Sequence, residues 1–279
     1  SDEGDKENEP TNTAANVDHF RALDRLLMGV FDGHAPRGEL VSEFASVELP
    51  RILAKKLCTK AGVKGISSVQ DEMDITKESL IETFVELDRT APAHPSGGCT
   101  ATVVLQQGSK IYVANAGDSR SFVVAYRPST KNVTVAYISR EDKPSLPDER
   151  ARVEASGGHV YIPKQGTSRV VYHDPLTGAP TGLAMSRSIG DWEAGKMGVI
   201  PDPIVAVLDT ENIVLNVLSD SYEGYDEPDP DLCMASGSIS STDFFDQNSI
   251  GDANDDVYIF AVSATDGIMD FMTAAEVSQ

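Results

Sequence analysis

Positive charge is scarce in this 279-residue chain. Its 23 lysines and arginines face 44 aspartates and glutamates, for a net charge of -21. A surface that acidic repels other polyanions, which argues against nucleic acid and anionic membranes as partners. It does not exclude an anionic substrate at a site lined by metal ions, because a bound divalent cation reverses the local field. Cysteine is scarce too. Cys58, Cys99 and Cys233 are odd in number, widely spaced and without a C-x-x-C pair. That argues against a disulfide framework and a cysteine zinc site, and it fits an intracellular setting, cytoplasmic or nuclear. No apolar run reaches the ~20 residues of a membrane helix. The N-terminus lacks the basic-then-apolar order of a signal peptide, although a start at Ser1 rather than Met leaves a removed segment open. There is no internal repeat, and a monomer is expected.

The first 19 residues are polar and acidic, and they cannot bury enough apolar surface to stay ordered alone. Residues 20–279 read as one domain. Leu26 to Phe31 is an apolar strand. A helix follows over about 38–60, with Leu40, Phe44, Val47 and Ile52 near helical spacing and a kink or break expected at Pro50. A second helix spans about 75–89, capped by Asp74 or Thr76, with Leu80, Phe84 and Leu87 on one face. The period then changes to two. Residues 100–105, 110–116, 121–126 and 133–138 read as an antiparallel meander. Residues 147–156 form a short helix with Pro147 near its start, and 159–162 with 168–172 a hairpin. Residues 182–191 read as a short helix or tight turn, and 204–208 and 212–218 as strands. Residues 219–256 are rich in Asp, Ser, Gly and Pro and contain no Lys or Arg. They read as a solvated insertion, without the Asp-x-Asp-x-Asp-Gly spacing of a calcium loop. Strands interleaved with long helices point to an α+β fold.

The chemistry concentrates where apolar strands end in acids. Leu26-Leu27-Met28-Gly29-Val30-Phe31 runs into Asp32-Gly33-His34. Ile111 to Ala116 leads to Gly117-Asp118-Ser119, and Val257 to Thr265 leads to Asp266-Gly267 with Asp270 beyond. A strand end is a rigid mount for a charge. These four carboxylates, without His or Cys partners, form a hard oxygen site that prefers Mg²⁺ or Mn²⁺ over Zn²⁺. Two ions ~3.5–4 Å apart activate a shared water, and His34 beside them is placed to protonate a leaving oxygen near neutral pH. Each feature also has a plainer explanation: an Asp-Gly after a strand is commonly a turn, and Asp118 and Asp191 can each serve a turn. His19, His94, His159 and His173 have no partner spacing and are assigned structural roles.

Five stretches together resemble the metal-dependent protein phosphatases, the type 2C serine/threonine phosphatases of the PPM family. They are Val30-Phe31-Asp32-Gly33-His34, Gly98-Cys99-Thr100-Ala101, Ala114-Asn115-Ala116-Gly117-Asp118-Ser119-Arg120, Leu183-Ala184-Met185-Ser186-Arg187-Ser188-Ile189-Gly190-Asp191 and Ser263-Ala264-Thr265-Asp266-Gly267-Ile268-Met269-Asp270. Each alone is weak; five in the family's order are specific. The resemblance implies an α-β-β-α four-layer sandwich of two antiparallel sheets flanked by helices. It implies two Mg²⁺ or Mn²⁺ ions, bridged by Asp32, with the Gly33 carbonyl helping to hold one and Asp266 the other. Asp118 and Asp270 match positions that support a third, weaker ion in several members. His34 matches the proposed general acid, and a metal-activated water would hydrolyse phosphoserine or phosphothreonine in phosphoprotein substrates. Arg120, Arg187 and Asp191 match residues expected to brace the core rather than react.

Three departures accompany the resemblance. Nothing before Phe31 matches the family's Arg-x-x-Met-Glu/Asp element. Ala35-Pro36-Arg37-Gly38 replaces the usual Gly-Gly after the histidine. The chain stops at Gln279, before the family's closing Asp-Asn pair. The alternative expectation is therefore a catalytically impaired phosphatase-like regulatory or binding module. An unrelated two-metal phosphoesterase acting on small molecules is a third.

Overall fold

A computed structural model of the chain describes residues 25–219 and 256–269. The acidic segment 1–19, the body of the insertion (220–255) and Asp270 lie outside them. In chain order the elements are β1 (Arg25–Val30), β2 (Gly33–His34), α1 (Gly38–Lys64), α2 (Val69–Thr90), β3 (Gly98–Cys99), β4 (Ala101–Gln107), β5 (Lys110–Ala116), β6 (Arg120–Arg127) and β7 (Asn132–Ile138). They continue with α3 (Pro147–Ala155), β8 (His159–Tyr161), β9 (Arg169–His173), β10 (Pro180–Leu183), β11 (Ile189–Gly190), α4 (Trp192–Gly195), β12 (Ile204–Asp209), α5 (Thr210–Leu218), β13 (Tyr258–Ala264) and α6 (Asp266–Met269). The fold is mixed α+β, with every paired strand antiparallel to its neighbour.

Helices α1 and α2 form one layer. The buried stripe of α1 is Val41, Ala45, Leu49, Leu53 and Leu57, one residue per turn. Of the face expected from the sequence, Phe44 and Ile52 pack against this core, while Leu40 and Val47 are exposed. The helix also runs through Pro50 without a break. α2 presents Ile75, Leu80, Phe84 and Leu87 to the same core. It starts a turn and a half before the expected cap, because Ser68 Oγ accepts from Asp71 N at 3.1 Å. Along the seam between the helices, Lys56 pairs with Glu86, Lys60 with Glu82 and Glu78, and Lys64 with Glu78.

Below the helices lies the sheet β1-β4-β5-β12. One of its faces meets the helices through Val103, Leu105, Tyr112 and Ala114. The other, through Val104, Ile111 and Val113, packs on Val123 and Ala125 of the second sheet, β13-β6-β7. α5 adds Ile213 and Val217 to this inter-sheet core. That segment was expected as a strand. Its β-branched residues look strand-like, but the Asp209 carboxylate accepts from Glu211 N at 3.0 Å and caps a helix, which places Ile213 and Val217 one turn apart on its buried face. Among the described residues the layers are thus helix, sheet, sheet. A smaller unit, the sheet β10-β9-β8 with α3 and α4, has its own core of Val153, Val160, Val170, Leu183, Met185, Ala194 and Val199.

The fourth sheet, β11-β3-β2, has two residues per strand and positions the site. Residues 182–191, expected as a helix or tight turn, instead end β10, form β11 and place Asp191 just before α4. No helix among the described residues is long and apolar enough to cross a membrane.

Candidate active site

Asp32 leaves β1 and is fixed by its backbone. Its N–H donates to Thr100 Oγ1 at 3.0 Å, and Thr100 N donates to the Asp32 carbonyl at 2.9 Å. Thr100 Oγ1 also bonds Ser119 Oγ at 2.6 Å. One threonine therefore ties the loop carrying Asp32 to the turn carrying Asp118. Asp266 arrives on a third element. β13 pairs with β6 in a register that sets Ala264 opposite Arg120, two residues past Asp118. The strand ends expected to converge do converge.

The electrostatics agree with that placement. The Asp32 carboxyl is pushed above its ordinary value by burial first, then by the negative charge of Asp266, with Asp118 adding and His34 opposing. A hydrogen bond with Asp266 favours the protonated form further. Two abutting carboxyls with a third nearby favour a cation between them, and an all-oxygen donor set suits Mg²⁺ or Mn²⁺. The fit is one of donor type. Among the described residues no three His, Cys, Asp or Glu side chains lie close enough to hold an ion by themselves.

His34 is placed by the small sheet: β2 and β11 both pair with β3, which brings His34 to Asp191 across it. His34 Nε2 donates to Asp191 Oδ2 at 2.6 Å. Burial alone would lower the imidazole pKa, but the Asp191 hydrogen bond and charge, helped by Asp118 and Asp32, raise it above its ordinary value. The approach depends on Gly98, where a Cβ would fall 2.2 Å from Asp191 Oδ2. Asp191 itself has φ 52° and ψ 38°, a left-handed conformation that aspartate tolerates better than most residues. Its neighbour Gly190 is held in turn by its N–H donating to Asp88 Oδ1 at 2.7 Å.

Asp118 is buried, and Lys143 Nζ donates to its Oδ2 at 3.0 Å. Behind it lies a buried ionic hub. Glu149 Oε1 accepts from Arg140 at 2.7 Å and from Arg187 at 2.7 and 3.0 Å, while Oε2 accepts from Arg152 and from Ser186 Oγ. Asp142, also fully buried, accepts from Gly117 N at 3.0 Å and from Arg140. Burial raises the Glu149 carboxyl, but the Arg152 and Arg187 hydrogen bonds and the Arg187 charge outweigh it and hold the group well below the carboxylate range. Burial instead pushes Asp142 up to about 7, with Arg187 and Arg140 opposing and Glu149 adding. This hub holds the turn before Asp118 on one side and the Ser186–Arg187 segment leading to Asp191 on the other.

Of the site residues read from the sequence, Asp32, His34, Asp118 and Asp266 come together, with Gly33 between the first two. Gly33 has no room for a side chain, since a Cβ there would lie 2.4 Å from the Gly38 carbonyl oxygen. Asp270 lies outside the described residues. Two residues were missed, Glu149 and Lys143. Asp191, expected to brace the core, is the hydrogen-bond partner of His34. One signal pointed to Glu149: it sits one turn before the buried Val153, on the inward face of a short helix.

Residues 9–219 match the protein phosphatase 2C family. The chain belongs to that family. Among its relatives are probable protein phosphatase 2C 1 of Arabidopsis thaliana, 30% identical over 66% of this chain and 45% of that one, and probable protein phosphatase 2C 41 of the same plant, 28% identical over 65% and 53%. This phosphatase 2C chain spans about half the length of the curated relatives it matches. The crystal structure of a serine-threonine phosphatase 2C from Toxoplasma gondii covers 67% of this chain and 64% of its own, with a TM-score of 0.51 at 18% identity, a likeness of fold.

Proposed function

We propose that the chain removes phosphate from phosphoserine and phosphothreonine in proteins, with Mg²⁺ or Mn²⁺. The observation that carries this reading is the meeting of Asp32 and Asp266 beside the His34–Asp191 pair in a chain of the phosphatase 2C family. Asp32, the Gly33 carbonyl and Asp266 are the groups that would hold two ions, with Asp118 and Asp270 as the outer pair for a third. When bound, the ions supply Lewis acidity and a nucleophile at neutral pH. The remaining chemistry belongs to the side chains. His34 has committed Nε2 to Asp191, so Nδ1 is the nitrogen left to act on substrate. As the P–O ester bond breaks, the serine or threonine oxygen takes the Nδ1 proton, and Asp191 keeps the ring charged until then. The acidic surface steers toward phosphoproteins with basic flanks rather than toward nucleic acid. Residues 20–279 are taken as the phosphatase-like domain, with 219–256 inserted in it. The buried outer face of the second sheet, Phe122, Val124 and Ile138, supports a fourth, helical layer over it.

The test is phosphopeptide hydrolysis with added Mn²⁺, expected to disappear with chelator and with Asp32→Ala. Turnover indifferent to both refutes the reading. The alternative, a catalytically impaired phosphatase-like regulatory or binding module, is motivated by the departure from the family pattern at Ala35-Pro36-Arg37-Gly38. That alternative predicts no turnover at any metal concentration while the fold persists.

A further inference from the structure

Lys143 stands out because its charge lies where the proposed chemistry would want a metal ion. Its ammonium donates to Asp118 Oδ2 at 3.0 Å, and the Asp118 side chain is only 5% exposed. The lysine does not reach in on a loose loop. Its neighbour Asp142 is tied twice to the turn before Asp118: Gly117 N donates to Asp142 Oδ2 at 3.0 Å, and Asp142 N donates to the Gly117 carbonyl at 3.0 Å. The following turn is closed by Leu146 N donating to the Lys143 carbonyl at 3.1 Å, with Pro144 restricting the backbone between them. The ammonium also stands 3.6 Å from Glu141. Arg120 stands 3.9 Å from Glu141 and draws on that second carboxylate. The ammonium is thus held against a nearly buried carboxylate by a backbone that cannot easily withdraw.

We propose that Lys143 is a tethered cation that competes with a divalent metal ion for Asp118. An ion and an ammonium cannot share Oδ2, because two positive charges at contact repel while each needs the same lone pairs. An ion therefore reaches Asp118 only when the lysine swings toward solvent along its flexible stem. Lys143 sets the ion concentration at which Asp118 is engaged, leaving the Asp32–Asp266 pair to bind first. This rests on the metal-site reading above, in which Asp118 belongs to an outer position.

The experiment is a Mn²⁺ titration of the whole chain, read by loss of the free-ion paramagnetic resonance signal and by calorimetry. Lys143→Met is expected to tighten the weakest ion by about tenfold, or to reveal one more ion, as the loss of a partly buried charge competitor implies. Lys143→Arg keeps the charge and is expected to bind as wild type does. Adding Asp118→Asn to Lys143→Met should abolish the gain. Lys143→Gln is a second neutral variant should the methionine fold poorly, as judged by circular dichroism. Unchanged binding in both neutral variants overturns the proposal, as does a gain that survives Asp118→Asn. The underlying metal-site reading fails by a different signature: Asp32→Asn leaves all ion binding intact.

Discussion

Replacing Glu149 with glutamine should destabilise the protein more than its conservative chemistry implies. In the wild type both carboxylate oxygens are fully committed, Oε1 to Arg140 and Arg187 and Oε2 to Arg152 and Ser186. Whichever way a glutamine amide is turned, its NH₂ faces at least one guanidinium donor. The variant would leave three arginines gathered around a neutral group in a fully buried position. Removing one partner from a buried ion pair costs roughly 3–5 kcal/mol. At about 2–4 °C per kcal/mol for a domain of this size, the melting temperature should fall by roughly 6–20 °C at pH 7. The pH dependence gives a second check. Glu149 is depressed on folding, so its stabilisation is present above its unfolded value near 4.5 and is lost as pH falls. The gap between wild type and Glu149→Gln should therefore narrow below about pH 4.5. Thermal melts followed by circular dichroism at pH 7 and pH 4 measure both effects. A variant melting within about 2 °C of wild type at pH 7 would show that the arginines are not held by this carboxylate. Because Ser186 and Arg187 begin the segment ending at Asp191, phosphopeptide turnover should fall through kcat more than KM.

Three further outcomes follow from single contacts. Gly98→Ala puts a Cβ into the Asp191 carboxylate and should break the 2.6 Å bond to His34, lowering turnover by at least tenfold at saturating metal with only a modest change in melting temperature. Burial pushes the Asp88 carboxyl up to about 6, against the Gly190 N–H bond and with the Asp191 charge adding. Its folded value lies above the unfolded 3.8, so its stabilising contribution is fully present below that pH and is lost as pH rises through 6. Asp88→Asn should accordingly flatten the stability profile between pH 4 and 7, and an unchanged profile in differential scanning fluorimetry would refute the assignment. Phe84→Ala removes one of the largest fully buried side chains of the helix–sheet core and should cost about 3–5 kcal/mol in urea unfolding.

The legibility of this chain divides by range. The acids at strand ends were visible because local order marks them: an apolar run, then Asp, then Gly. Asp32, Asp118 and Asp266 were found that way, and the structure brings them together. Local order misled where two periods compete. Residues 212–218 carry strand-like β-branched residues, yet the Asp209 cap decided for helix. The α1 face was half legible: Phe44 and Ile52 flank the buried stripe, while Leu40 and Val47 face solvent, because its apolar residues fit two neighbouring stripes. The groups that hold the candidate site residues were hidden for a stronger reason. His34 meets Asp191 157 positions away, and Glu149 meets Arg187 at a separation of 38. No spacing rule reaches across such distances, because the sheet β11-β3-β2 and the placement of α3 create these pairs. Burial still leaves a trace, as an acid on an inward helix face, like Glu149, must find cations or lose its charge. The position of such an acid therefore foretells a hub of arginines before any partner can be named. A strand-end acid foretells a cation in the same way, and at Asp118 the Lys143 ammonium meets that demand.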